Sequence, residues 1–129
     1  MKFNPADYLN SSLDSLESSK LLLENNFTKG SINRSYYSIF YCVQLLVLSE
    51  GIFAKTHSGL KAKFNELFAK TGKVELEKAK VYDRIFQERL AADYDIDAEI
   101  STEEAKEALD FASDFFEFTT KYFENYESI

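Results

Sequence analysis

Apolar residues recur every three to four positions along most of this chain, the spacing of one face of a helix, and no segment sustains an alternation of period two. The first such run follows Asn4-Pro5, a capping residue with proline at the first helical position. Leu9, Leu13, Leu16, Leu22 and Leu23 carry it to about Asn26. A short turn around Lys29-Gly30 then precedes a second helix from about Ser31 to Glu50. Ile32, Tyr36, Ile39, Phe40, Val43, Leu46 and Val47 form its stripe, widened by Tyr37, Tyr41, Leu45 and Leu48. A helix apolar on nearly all sides is expected to be central. So much apolar surface is also more than a small bundle covers, which predicts a second copy of the chain against it.

Gly51 suits a helix stop, and residues 52–57, "IFAKTH", read as a linker. Ser58 is expected to cap a short helix carrying Leu60, Phe64, Leu67 and Phe68, ended by Gly72. A further helix covers about Glu75 to Asp93, with Leu76, Ala79, Tyr82, Ile85, Phe86 and Leu90 facing inward. After the polar loop "YDIDAEI", Ser101-Thr-Glu-Glu104 is a capping box. It opens a last helix whose Ala105, Ala108, Leu109, Ala112, Phe115, Phe116, Tyr122 and Phe123 keep the same period. The expected fold is all-α, an antiparallel up-and-down four-helix bundle with one extra short helix. Residues 1–129 are expected to form one domain.

Composition agrees with helices. The chain has one Pro and 4 Gly among its 129 residues, few for a protein built on strand turns. It is long enough to fold around a core without disulfides or metal. The single cysteine, Cys42, has no internal partner and sits in an apolar run, which fits a buried thiol in a reducing compartment. No basic-then-apolar leader and no apolar run of about 20 residues is present. A soluble cytoplasmic protein with no membrane partner is expected.

Charge is uneven. Residues 1–54 carry four basic and five acidic groups, residues 55–92 nine and five, and residues 93–129 two and twelve. The balances are −1, +4 and −10, giving the net −7. An acidic chain is not a phosphate-backbone binder by default. Any contact with nucleic acid therefore falls to the middle third, and the acidic last third reads as a solvated helix face.

Glycine-rich phosphate loops and Cys/His metal spacings are absent from the sequence, and one histidine leaves a metal site nearly all carboxylate. Neither a metal nor a cofactor is expected. In "FQERLAADYD" (86–95) Arg89 and Asp93 lie four apart, on one face near a helix end. A surface pair of this kind contributes only a few tenths of a kcal/mol, so spacing leaves a capped turn and a functional site both open. His57 lies in "AKTHSGL", between Lys55 and Lys61 and just before a helix start. It suits contact with an anion beside free helix N–H groups, or a solvated loop. In "RSYYSIFY" the aromatics read as core, with Arg34 placed either to stack on Tyr37 or Tyr41 or to lie exposed.

Three blocks in order, "GSINRSYYSIFYCVQLLVLSEG", "KTHSGLKAKFNELFAKTG" and "RIFQERLAADYD", resemble the HEPN superfamily (higher eukaryotes and prokaryotes nucleotide-binding) over about residues 6 to 125. The closest branch is the small single-domain bacterial and archaeal one with an Arg-Ser-Tyr-Tyr signature. The resemblance implies a four-helix bundle, a homodimer with a composite site and, in many members, metal-independent ribonuclease activity from an Arg-x4–6-His motif. Other members are toxins or accessory subunits paired with a nucleotidyltransferase. The motif arginine matches Arg89, but positions 94 to 96 are Tyr94, Asp95 and Ile96. The branch pattern Arg-x3-Asp-Tyr maps onto Arg89, Asp93 and Tyr94, which become the candidate catalytic residues. His57, Arg34, Tyr37 and Lys55 are the candidate binding residues. The expected function is a toxin-like or accessory protein that binds nucleotide or RNA phosphate and pairs with a nucleotidyltransferase. The alternatives are an active ribonuclease and a non-catalytic interaction module.

Overall fold

The computed structural model describes residues 3–124. Five helices follow in order: α1 (Pro5–Glu24), α2 (Thr28–Ser49), α3 (His57–Phe64), α4 (Leu76–Tyr94) and α5 (Thr102–Tyr122). The described residues contain no strand. α2 packs against all four of the others, and α1 also touches α5. The expected all-α bundle with one extra short helix is what forms.

The punctuation residues act as their chemistry dictates. Asn4 accepts from the Ala6 N–H at 3.0 Å with Pro5 at the first helical position. Ser101 and Glu104 exchange both bonds of a capping box. After α2, Gly51 takes φ 80°. The Gly51 and Ile52 N–H groups close back on Leu48 and Val47 carbonyls, a left-handed stop that a Cβ would oppose.

Elsewhere the structure departs from the pattern. The α1–α2 turn lies at Asn25–Phe27, where Asn26 adopts φ 67°, a conformation Asn tolerates better than most residues. Lys29 and Gly30 belong to the first turns of α2. Gly30 serves close packing instead: a Cβ there would meet a Leu22 methyl at 3.3 Å. Thr56, not Ser58, caps α3, its hydroxyl accepting from the Gly59 N–H at 2.9 Å. Beyond Phe64 the helix widens into a π turn, Asn65–Ala69, closed by Lys70 N–H to the Asn65 carbonyl at 2.9 Å.

The inner face of α1 is serine rather than leucine. Ser12, Ser15 and Ser19 are buried with Leu16, whereas Leu13 and Leu21 are exposed. Ser19 meets Ser31 and Ser35, and Ser12 meets Ser38 and Cys42. The numbers rise on one helix as they fall on the other, so the two run antiparallel. Small side chains let the backbones approach, and the Ser12 and Ser19 hydroxyls find partners on α2, so their burial leaves neither unmet.

α2 supplies the middle of the core. Ile32, Tyr36, Ile39, Val43 and Leu45 to Val47 are fully buried within one chain, and Tyr37, Phe40 and Tyr41 are partly so. Most of its apolar surface is covered by its own neighbours, while Tyr37, Phe40 and Tyr41 keep part of theirs open.

Candidate functional site

The α2–α4 contact holds an arginine in the core. Arg89 is 5% exposed. Its guanidinium carbon lies 4.6 Å from the Tyr36 ring centroid, 5.7 Å from Tyr37 and 5.8 Å from Phe86. A planar, weakly hydrated cation is the group suited to such an aromatic seat. Its carboxylate partner is Asp93, one turn on, which accepts from Nη1 at 3.3 Å. The buried Nε has no acceptor. A donor left this way costs on the order of 1–3 kcal/mol, so its lack of an acceptor calls for an explanation.

Asp93 is held from the other side as well. The Asn33 amide donates to its two carboxylate oxygens at 3.0 and 3.2 Å. The Asn33 carbonyl oxygen accepts from Arg34 Nε at 3.0 Å and Nη2 at 2.9 Å. Arg34 in turn lies over the Tyr37 ring at 4.9 Å. A polar chain thus runs Arg34–Asn33–Asp93–Arg89, with both cations on aromatic faces.

His57 closes the other flank. It is the first residue of α3, stacked on Phe40 at 4.6 Å and edge-on to Tyr37 at 5.9 Å. Its Nδ1 is 2.6 Å from the Tyr36 hydroxyl. Burial, and then the Arg89 charge, push the His57 pKa below its ordinary value. Burial pushes the Tyr36 phenol well above its own, with Arg89 opposing in part. A protonated phenol beside a neutral imidazole donates to it, so Nδ1 accepts and the ring proton sits on Nε2. His57 therefore presents a hydrogen-bond donor. Arg89 and His57 are joined through one side chain, Tyr36.

Of the residues expected from sequence, Arg89, Asp93, Arg34, Tyr37 and His57 come together. Tyr94 and Lys55 share none of these contacts. Tyr94 ends α4 with its side chain in solvent, 79% exposed, and Lys55 is exposed in the α2–α3 connection. Two members went unread, Asn33 and Tyr36. A signal was present, because Asn33, Tyr36, Tyr37 and Phe40 recur at three- and four-residue steps and so share one face of α2. Among the described residues no cluster of three or more His, Cys, Asp or Glu offers a metal site, and no helix is long and apolar enough to cross a membrane.

The chain is similar to named proteins along most of its length. It is 39% identical over 110 residues to a "UPF0332 protein" of Thermotoga maritima, covering 85% of this chain and 83% of that one. It is 38% identical over 108 residues to "Putative toxin MJ0142" of Methanocaldococcus jannaschii, covering 84% and 74%. A second protein of that organism, "Putative toxin MJ0605", is 28% identical over 103 residues, covering 80% and 75%. The family model described as "HEPN domain" matches residues 6–122, which take in every helix from α1 to α5. The chain belongs to the HEPN family.

Proposed function

We propose that this chain is a toxin-like or accessory HEPN protein that binds the phosphate of a nucleotide or RNA at Arg89 and works with a nucleotidyltransferase partner. The observation that carries the reading is the buried Arg89 guanidinium, seated on Tyr36 with its Nε lacking an acceptor. The His57 Nε2–H adds a second donor on the far side of Tyr36, and Arg34 a second cation beside Asp93. Donors and cations of this kind suit an anion.

Binding is favoured over cleavage by the same bonds. Metal-free RNA cleavage needs a base for the 2′-hydroxyl and an acid for the leaving oxygen. The His57 lone pair that would serve as base is taken by the Tyr36 hydroxyl. Asp93 is engaged by Asn33 and Arg89. The relatives named as toxins support a role that a partner protein restrains. The nucleotidyltransferase and a second copy of the chain are proposed on the family resemblance.

The test is fluorescence anisotropy with a single-stranded RNA and with AMP, in EDTA, for wild type, Arg89→Lys and Arg89→Ala. Gels of the same samples report cleavage, and circular dichroism reports folding. Binding without cleavage, weakened at least tenfold in folded Arg89→Lys, is the expected result. RNA cleavage lost in the variants would make the chain a ribonuclease instead. Wild-type affinity in both folded variants would remove Arg89 from the site and leave an interaction module.

A further inference from the structure

On the outer face of the α3–α4 layer lies a groove of about 350 Å³, lined by Lys61, Asn65, Lys70, Lys80 and Asp83 over a floor that includes Ala69 and Ala79. The π turn contributes both Asn65 and Ala69. Widening of a helix by such a turn often accompanies a functional surface. One carboxylate faces three lysines. Asp83 is paired with Lys61, while Lys70 and Lys80 form no ion pair, and the Asn65 side-chain amide no hydrogen bond, among the described residues. On a chain of net charge −7, an unneutralised basic groove is a local exception.

The groove is joined to the Arg89 site by one ring. Lys61 Nζ lies 4.8 Å from the Phe86 centroid and the Arg89 guanidinium carbon 5.8 Å from it. The two cations are therefore no more than about 10.6 Å apart. Lys80 and Lys70 line the same groove as Lys61. Several cations in one groove beside Arg89 match the repeating phosphates of a strand better than the single phosphate group of a mononucleotide.

We propose that the α3–α4 groove is a phosphate track that takes the backbone of a single-stranded RNA whose neighbouring phosphate sits at Arg89. The proposal rests on the anion-binding reading of Arg89 and narrows its ligand to a polynucleotide. Lys70, Lys80 and the Asn65 amide contact phosphates and read no base. Lys61 is held by Asp83 and Phe86 as the link between track and site. Binding through the track is tolerant of sequence and sensitive to salt.

The experiment compares wild type, Lys70→Ala/Lys80→Ala, Arg89→Lys and the charge-matched Lys106→Ala/Lys121→Ala on α5. Affinity for a single-stranded RNA of about 12 nucleotides, and for AMP, is followed across a salt series. All four lysines replaced are exposed, so folding is expected to persist. The groove variant should bind RNA roughly tenfold more weakly, with the salt slope reduced by about 1.4, or 0.7 for each lost phosphate contact. Its AMP affinity should be that of wild type, and the α5 control should bind RNA normally. RNA affinity and slope unchanged in the groove variant but lost in Arg89→Lys would overturn the track and leave the Arg89 site standing. The reverse pattern would keep the track and overturn Arg89 as its neighbour. An equal loss in the α5 control would reduce the effect to net charge and overturn the proposal, as would wild type that binds no RNA. A groove variant that loses self-association in sedimentation while binding RNA normally would show the groove to receive the acidic α5 of a second copy.

Discussion

The bond between Tyr36 and His57 bears on which chemistry the site presents, because a phenol that donates to Nδ1 leaves the imidazole proton on Nε2. His57 is the only histidine in the chain, so one ring resonance reports it. Burial and then Arg89 hold its pKa below the ordinary value of 6.5. In the unfolded chain the same ring titrates near 6.5. Between the two values the unfolded state binds more protons, so folding stability rises with pH there. The contribution is present in full above about pH 6.5 and is lost as pH falls through the folded pKa. An NMR titration should place the folded His57 below 6.5, with the Nε2–H tautomer at neutral pH. The stability difference between wild type and His57→Gln should shrink on acidification across that window. A folded pKa at or above 6.5 would mean that Arg89 and burial do not govern this ring.

At the scale of the helices, the interface between α1 and α2 reverses what hydrophobicity predicts. Ser19 donates to the Ser31 carbonyl at 2.8 Å and meets the Ser35 hydroxyl at 2.7 Å, fully buried. Ser19→Ala leaves the Ser35 hydroxyl without a partner and should cost about 1–2 kcal/mol. Ser19→Val adds bulk between close backbones and should cost about 1–3 kcal/mol more. Leu21→Ser on the exposed face of the same helix should stay within about 0.5 kcal/mol. Urea unfolding of the three variants checks the order, and a larger loss at Leu21 would contradict the packing. The same interface explains why helix positions were legible in the sequence and this face of α1 was not. Apolar period and caps such as Ser101–Glu104 report where a helix runs. Ser12 and Ser19 look like solvent-facing residues until the partner helix supplies their acceptors. The pairing of Arg89 with Asp93 was legible because spacing within one helix carries it. The site was hidden where it needs α2 and α3 together, as in Asn33 to Asp93 and Tyr36 to His57.

For the molecule as a whole, the question is whether one copy completes its own core. Hydropathy along α2 argues for a second copy, but α1, α3, α4 and α5 pack around it, and Ile32, Tyr36, Ile39, Val43 and Leu45 to Val47 are fully buried in a single chain. Cys42 is part of that same core, and burial pushes its thiol up to about 11, which leaves it a poor nucleophile while the chain is folded. A chain that folds without associating predicts that the urea midpoint is the same at about 1 µM and about 100 µM protein, since any association of the native state would stabilise it by mass action. The Cys42 thiol should resist an aromatic disulfide reagent below the midpoint and react above it, at either concentration. A midpoint that climbs with protein concentration would mean that the native chain associates in this range. A constant midpoint separates the two questions. The anion site is then built by one chain, and a second copy or a nucleotidyltransferase is left to add groups around it rather than to create it.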